Sequence, residues 1–209
     1  MSQPPPSPEQ FLELAILHVN AGQAERAMVL CELAVQAHAA HPALHQLLAQ
    51  LQFDTGRLDA AAAHIATSLA VRADHVPSLY LAGVVARAQG RLADAAQALS
   101  HAAQLAPTHD KVWFELALVR QDLRDFEGAA TALRHLLRIA PPRAEIEVNL
   151  GIVLQEAGRM DDAMEAYGRA YRLREDTFGR IAHALSTPSA GRLWLDLNDL
   201  RAALRNASG

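Results

Sequence analysis

The chain has 209 residues, half of them hydrophobic and only 5% aromatic, and its formal net charge at pH 7 is −4. A charge this small gives no electrostatic reason to bind nucleic acid or an anionic membrane. No apolar run is long enough to span a bilayer, and the first ten residues lack the charged start and apolar core of a secretory signal. The only cysteine, Cys31, excludes an internal disulfide. We therefore expect a soluble cytoplasmic protein without membrane insertion.

The chain begins with a segment rich in proline and serine, residues 1–7, for which we expect disorder. Beyond it, the phrases "GRLDAA" from Gly56 and "GRLADAA" from Gly90 stand 34 residues apart. The same interval relates three further series of positions across the chain. These series are Gly22, Gly56, Gly90, Arg124 and Gly158; Ala27, Ala61, Ala95, Ala129 and Ala163; and Ala15, Ala49, Gly83, Ala117 and Gly151. Small residues held in phase over five copies indicate a repeat array.

Each repeat has the pattern of two helices joined by a turn. "VPSLYLAGVVARAQG" ends at Gly90, and "RLADAAQALSHAAQLAP" follows it as a second periodic stretch that ends at Pro107. Glycine supplies the left-handed conformation that ends the first helix, and proline stops the second. Small residues at fixed positions let the two helices approach closely. A hairpin of this kind cannot bury its own apolar face, so neighbouring repeats must stack.

This pattern resembles the tetratricopeptide repeat (TPR) family. The resemblance is clearest in "LAG" at residues 81–83, in Trp113, and in "NLGIVLQEAGRMDDAMEAY" from Asn149. It implies an all-α, right-handed superhelical solenoid of five helix-turn-helix repeats. The predicted repeats span 8–41, 42–75, 76–109, 110–143 and 144–177. Arg124 departs from the pattern, because it stands where the other repeats have the turn glycine.

Residues 178–209 form a predicted C-terminal segment in which the repeat pattern weakens. "FGRIAHALS" reads as the first helix of an incomplete sixth repeat, and Asp196 is a suitable N-cap for a last helix with Leu197, Leu200 and Leu204 in one stripe. One interpretation is a pair of capping helices, with Trp194 inserted into the end of the core. The other is a docking segment for a partner, or self-association through residues 190–209.

The sequence carries no recognisable catalytic or metal-binding motif. It contains no nucleophile elbow, phosphate-binding glycine loop or paired cysteines, and Lys111 is its only lysine. The ten histidines do not combine with carboxylates or thiols in a tetrahedral set, and His41, His75 and His109 lie one repeat apart. Arginines near the C-terminus alternate with acids, which argues against a nucleic-acid surface. We predict no enzyme activity, no metal and no cofactor.

The resemblance further implies a ligand groove on the concave face, lined by the first helix of each repeat. The facing pairs would be Leu12 and Ile16, Gln46 and Gln50, Tyr80 and Val84, Phe114 and Leu118, and Val148 and Ile152. None of these pairs supplies the lysine and asparagine with which chaperone-binding members hold a terminal carboxylate. The predicted groove is instead apolar with a polar fringe: Tyr80, Val84, Arg87, Lys111, Phe114, Leu118, Gln121, Val148, Ile152 and Gln155, with Glu145 nearby. Tight curvature that buries this stripe between helices is the alternative.

These observations predict a non-enzymatic scaffold for a protein or peptide partner, with an apolar or amphipathic segment in the groove. Two alternatives stay open. One is a dedicated accessory subunit of an enzyme in cell-envelope or secretion assembly. The other is a chain that works with an enzyme domain supplied in trans.

Overall fold

A computed structural model describes residues 6–186 and 196–207, and all regular structure in these residues is helical. The chain divides into two compact units, Met1–Pro107 and Thr108–Gly209. The predicted plug residue Trp194 lies outside the described residues, as do Leu195 and most of the N-terminal segment.

Unit 1 consists of three helical hairpins. Its first helices are α1 (Pro8–Asn20), α3 (Pro42–Asp54) and α5 (Val76–Ala88), and its second helices are α2 (Ala24–Ala37), α4 (Leu58–Val71) and α6 (Leu92–Leu105). Ser7 caps α1 with a complete capping box, in which the Ser7 side chain accepts from the Gln10 amide and the Gln10 side chain accepts from the Ser7 amide. Each first helix packs against its own second helix, and α3 lies beside both α1 and α5.

Unit 2 has two hairpins and two further helices. The hairpins are α7 (Asp110–Asp122) with α8 (Phe126–Ile139), and α9 (Ala144–Glu156) with α10 (Met160–Leu173). A 3₁₀ turn, Glu175–Thr177, leads into α11 (Phe178–Leu185), and α12 is Leu197–Asn206. The five first helices begin at residues 8, 42, 76, 110 and 144, which are the first residues of the predicted repeats.

The turn within each hairpin contains one residue in the left-handed conformation. Gly22, Gly56, Gly90 and Gly158 have φ values between 71° and 76°. Arg124 adopts the same conformation, with φ of 60°, and is the only non-glycine residue of the described chain that does so. The turn therefore keeps its conformation without glycine, although a residue with a side chain then occupies a disfavoured region of φ and ψ.

We expect Arg124→Gly to stabilise unit 2. A left-handed non-glycine residue costs about 1–2 kcal/mol, and the greater freedom of glycine in the unfolded chain removes about 0.4–1 kcal/mol of the gain. Urea unfolding followed by circular dichroism should show the difference. The reverse change in unit 1, Gly90→Arg, is the matched test, because a Cβ there meets no atom within 4 Å and only the backbone conformation is strained. A loss of stability for Arg124→Gly would contradict this explanation.

The small residues of the repeat lie where the two helices of a hairpin meet. The alanines at 27, 61, 95, 129 and 163 are all completely buried, with 0% exposure. A Cβ on Gly83 would lie 2.4 Å from Cγ of Leu99, and a Cβ on Gly151 would lie 2.4 Å from the ring of Tyr167. In α5/α6 and α9/α10, glycine in the first helix thus makes room for a large side chain of the second.

The two last helices pack on the final hairpin. Ile181 and Leu185 of α11 and Leu200 and Leu204 of α12 are buried in the core of unit 2. Helix α12 lies against α10, where the guanidinium of Arg172 donates to the carbonyl oxygen of Ala207 at 2.7 Å. Within the described part of the C-terminal segment, α11 and α12 thus cover part of the last hairpin.

Candidate functional site

In unit 1, the predicted groove residues lie on α5. Tyr80, Val84 and Arg87 are all half-buried, spaced so that they share one side of the helix. Helix α3, which lies beside α5, contributes half-buried Gln46 and Gln50 at the equivalent positions. The side chain of Gln50 donates to Asp54 Oδ1 at 2.8 Å. The α3 part of this surface is therefore polar, whereas the α5 part has an aromatic and an aliphatic side chain.

In unit 2, helix α7 carries four of the predicted residues. Lys111 is exposed, and Phe114, Leu118 and Gln121 are half-buried. Phe114 packs in part against the core of the unit, as does Ile152 of α9. The remaining exposed area of these side chains is the surface that a peptide could contact.

Two predicted groove residues, Val148 and Gln155, are interior side chains, so their assignment to an accessible groove is wrong. Val148 is 0% exposed and Gln155 is 3% exposed. The side chain of Gln155 donates to the carbonyl oxygen of Ala184 at 2.8 Å and accepts from the Tyr167 hydroxyl at 2.9 Å. Gln155 thus joins α9 to α10 and α11. Helix α11, which packs beside α9, supplies the carbonyl acceptor for the Gln155 amide.

Unit 1 also has an apolar cleft that the sequence reasoning missed. It lies between α4 and α6, and α5 contributes to its floor. Its wall is mostly small and aliphatic, and Arg91, Asp94 and Gln97 are its polar members. The alanines that recur every 34 residues in the second helices are the sequence feature that could have indicated this cleft. Alanine is equally expected where two helices pack closely, so this feature did not identify the cleft.

The buried histidines of unit 1 hold neighbouring repeats together. His75 Nδ1 lies 2.7 Å from Ser78 Oγ, which lies 2.7 Å from Ser68 Oγ, and Ser68 donates to the carbonyl oxygen of Pro42 at 2.9 Å. This chain of hydrogen bonds connects α3, α4 and α5. Burial lowers the pKa of His75, which is further lowered by Arg72. The neutral imidazole is therefore favoured, as a hydrogen-bonding group of the core requires.

A second histidine contact joins α3 to α4. The Nδ1 atoms of His45 and His64 lie 3.0 Å apart, and His45 Nε2 lies 2.9 Å from the carbonyl oxygen of Ala39. Burial lowers the pKa of His64, and His45 contributes to the same shift. Within residues 6–186 and 196–207, no three His, Cys, Asp or Glu side chains come together as metal ligands.

The single thiol is not placed for nucleophilic chemistry. Cys31 is buried in a cluster with Met28 and Leu48. Burial, followed by the nearby Glu32 carboxylate, raises the pKa of this thiol to about 11. At neutral pH the thiol is thus protonated, and thiolate is the reactive form. In the parts of the chain that the structure describes, no helix has the length and hydropathy of a membrane span.

Two family models, both described as tetratricopeptide repeat, match residues 18–82 and 114–178. Together they cover more than half of the sequence, and the hairpins on which they fall have the turn and small-residue geometry described above. The chain belongs to the tetratricopeptide repeat family. A comparison with curated protein sequences finds no match.

Solved structures share the fold at low sequence identity. MamA from Desulfovibrio magneticus RS-1 is 15% identical with a TM-score of 0.73, covering 81% of this chain and 96% of that chain. YrrB, described as a TPR protein with an unusual peptide-binding site, is 16% identical with a TM-score of 0.73, covering 83% and 89%. A thermophilic TPR protein from Thermus thermophilus is 22% identical with a TM-score of 0.61, covering 87% and 100%. At these identities the likeness shows an all-α TPR fold.

Proposed function

We propose that this protein is a non-enzymatic cytoplasmic scaffold whose first helices bind an apolar or amphipathic segment of a protein partner. The observation that carries the proposal is the half-burial of large apolar side chains on these helices. Tyr80 and Val84 in unit 1, and Phe114 and Leu118 in unit 2, retain accessible area. Core positions of the same helices, such as Leu81 and Leu116, are 1% exposed.

The polar neighbours of these side chains fit the flanks of a bound peptide segment. Arg87 follows Val84 in unit 1, and Lys111 and Gln121 flank Phe114 and Leu118 in unit 2. Polar groups beside an apolar surface orient a bound segment, while burial of its apolar side chains supplies most of the affinity, at about 25 cal/mol per Å². The peptide-binding site named for YrrB, a protein of the same fold, is consistent with this use.

We expect Val84→Glu and Leu118→Glu each to weaken partner binding at least about tenfold, because binding would remove from water a carboxylate that has replaced an apolar contact. Partners would be captured from native lysate on the immobilised full-length chain and identified by mass spectrometry. The captured protein would then be titrated against each variant. Val71→Glu and Leu123→Glu are matched controls, because these side chains are 46% and 42% exposed and lie off the proposed surface.

Circular dichroism and a melting curve on Leu118→Glu precede the binding measurement. A folded variant shows that Leu118 faces solvent, whereas an unfolded one shows that it belongs to the core and contradicts the proposed surface in unit 2. Ala66→Glu, in the cleft between α4 and α6, separates the two candidate surfaces of unit 1. Loss of binding in Ala66→Glu with retention in Val84→Glu would move the site to that cleft.

A further inference from the structure

The first hairpin exposes large apolar side chains on both of its helices. On α1, Leu14 is 45% exposed and Leu17 is 64% exposed. On α2, Val29 is 55% exposed, and Leu30 beside it is half-buried. The end of a repeat array is ordinarily polar, because it has no neighbour to cover it. We call the surface formed by Leu14, Leu17, Val29 and Leu30 the N-terminal face.

The repeat shows what the α1 positions of this face are built to contact. One repeat later, Leu48 and Leu51 of α3 are 0% and 4% exposed and lie in a cluster with Met28 of the preceding second helix, α2. In unit 2, Leu150 and Val153 of α9 are the equivalent pair. They are 2% and 0% exposed and share a core with Leu133 and Leu136 of α8. Leu14 and Leu17 thus have the side chains of a helix-packing position but are exposed.

The cleft between α4 and α6 shows how the second helix of one repeat packs beside the hairpin of the next. Besides Arg91 at the start of α6, its α5/α6 wall contains Ala82, Val85, Ala86, Asp94, Gln97 and Ala98. The opposite wall is helix α4, with Ala62, Ile65, Ala66 and Leu69. Two repeats earlier, the α5/α6 wall corresponds to Leu14, Leu17, His18, Arg26, Val29 and Leu30. An open cleft is present at that place too, lined by His18, Glu25, Arg26, Val29 and Leu30. The first hairpin therefore has one wall of the same cleft.

The side chains of this wall define the apolar part of the occupant. Leucine at 14 and 30 replaces Ala82 and Ala98, and Val29 replaces Gln97, so the apolar side chains of this wall are larger. His18 and Arg26 stand where α5 and α6 have Ala86 and Asp94. A helix that packs on it needs small or aliphatic residues spaced as in α4, at i, i+3, i+4 and i+7. Residues 1–5 do not themselves provide such a stripe, because they contain only one large apolar side chain, Met1.

Charge defines the flanks of the occupant. Residues 8–41 contain four carboxylates, at 9, 13, 25 and 32, against one guanidinium, Arg26, and so carry a net charge of −3. All four of these glutamates are exposed. Glu13 lies one turn before Leu17 on α1, and Glu25 lines the open cleft together with Arg26 and Val29. These two carboxylates, one on each helix of the hairpin, attract lysine and arginine on the flanks of an occupant.

We propose that the N-terminal face docks an amphipathic helix of a partner protein, with a stripe of alanine and larger aliphatic residues and with basic residues on both flanks. This helix completes the cleft of the first hairpin as α4 completes that of the third. The site is separate from the groove surfaces on α5 and α7 and is independent of what they bind.

The test uses the full-length chain and two labelled synthetic peptides. Both carry the α4 stripe at the spacing of Ala62, Ile65, Ala66 and Leu69. One has lysine at the remaining polar positions and the other has glutamate. We expect fluorescence anisotropy to show binding of the lysine peptide, at least about tenfold tighter than the glutamate peptide, and weaker when salt is raised from about 50 to 300 mM.

The double variant Leu14→Gln/Leu17→Gln should weaken binding of the lysine peptide at least about tenfold. The control Val71→Gln/Leu105→Gln removes two large apolar side chains of unit 1 that are 46% and 43% exposed. It should change the affinity for the lysine peptide by less than about twofold. If the leucine variant fails to fold, Glu13→Lys/Glu25→Lys provides an independent test, because it should reverse the preference between the peptides.

Three results would overturn the proposal. The first is binding of the lysine peptide to the leucine variant as tight as its binding to the wild type. The second is equally tight binding of the glutamate peptide, which would remove the charge argument. The third is a dimer of the wild-type chain in sedimentation equilibrium that is absent from the leucine variant and persists when the lysine peptide is added. In that case the occupant is a second copy of the chain.

Discussion

Ala95→Leu is expected to lower the free energy of unfolding by about 1–3 kcal/mol. Ala95 lies on α6 with 0% exposure, at the phase where all five repeats have a completely buried alanine. Three additional heavy atoms do not fit without displacing the second helix from the first, because the interior is already close-packed. Urea unfolding monitored by circular dichroism measures the loss.

Ala93→Leu is the control for this substitution, since Ala93 lies on the same helix but is exposed. Ala93→Leu adds the same atoms and changes the helix propensity by the same small amount. The free energy of unfolding should therefore change by no more than about 0.5 kcal/mol. Equal stabilities for the two variants would show that position 95 tolerates a large side chain. The assigned phase of the repeat would then have no packing basis.

The repeat made the helices predictable because each structural requirement recurs five times. Glycine is favoured at the left-handed turn, and alanine or glycine is favoured where the two helices of a hairpin cross, so the 34-residue interval marks both positions. The family and the all-α fold follow from these positions. The turn at Arg124 shows that packing of the flanking helices fixes the conformation even where the residue type disfavours it.

The groove was less predictable, because position in the repeat does not determine exposure. Val148 and Gln155 occupy the same phase as Phe114 and Gln121, yet they are buried whereas the latter two are half-buried. For Gln155 the difference arises from its hydrogen bonds with Ala184 of α11 and Tyr167 of α10. Val148 is buried in the core of unit 2. A single sequence does not indicate how closely the incomplete sixth repeat packs on the fifth.

At the N-terminal face, the structure shows exposed side chains where the apolar pattern of the repeat indicates buried ones. Leu14 and Leu17 follow the apolar pattern of every repeat, so the sequence alone gives no reason to distinguish them from Leu48 and Leu51. Only their exposure in the structure separates them. The repeat then becomes informative again, because the later copies show what kind of helix covers these positions.

Gly151→Ala should destabilise unit 2 by about 1–3 kcal/mol, although alanine favours a helix interior by about 1 kcal/mol. The new methyl group would lie 2.4 Å from Cδ1 and from Cε1 of Tyr167. That ring is completely buried, and its hydroxyl donates to Gln155, whose amide donates to Ala184. A shift of the ring would therefore weaken the contact between α9 and α11 and leave buried polar groups unpaired.

Gly179→Ala is the control, because a Cβ at Gly179 on α11 meets no atom within 4 Å. It should leave stability unchanged or raise it by up to about 1 kcal/mol. Tyr167→Leu on its own should be destabilising, because it removes the ring and the donor to Gln155. The decisive measurement is the double variant Gly151→Ala/Tyr167→Leu. If the methyl group acts by contact with the ring, the double variant should lose at least about 0.5 kcal/mol less than the sum of the single changes. Additive losses would show that Gly151 acts through the backbone of α9 and not through the ring of Tyr167.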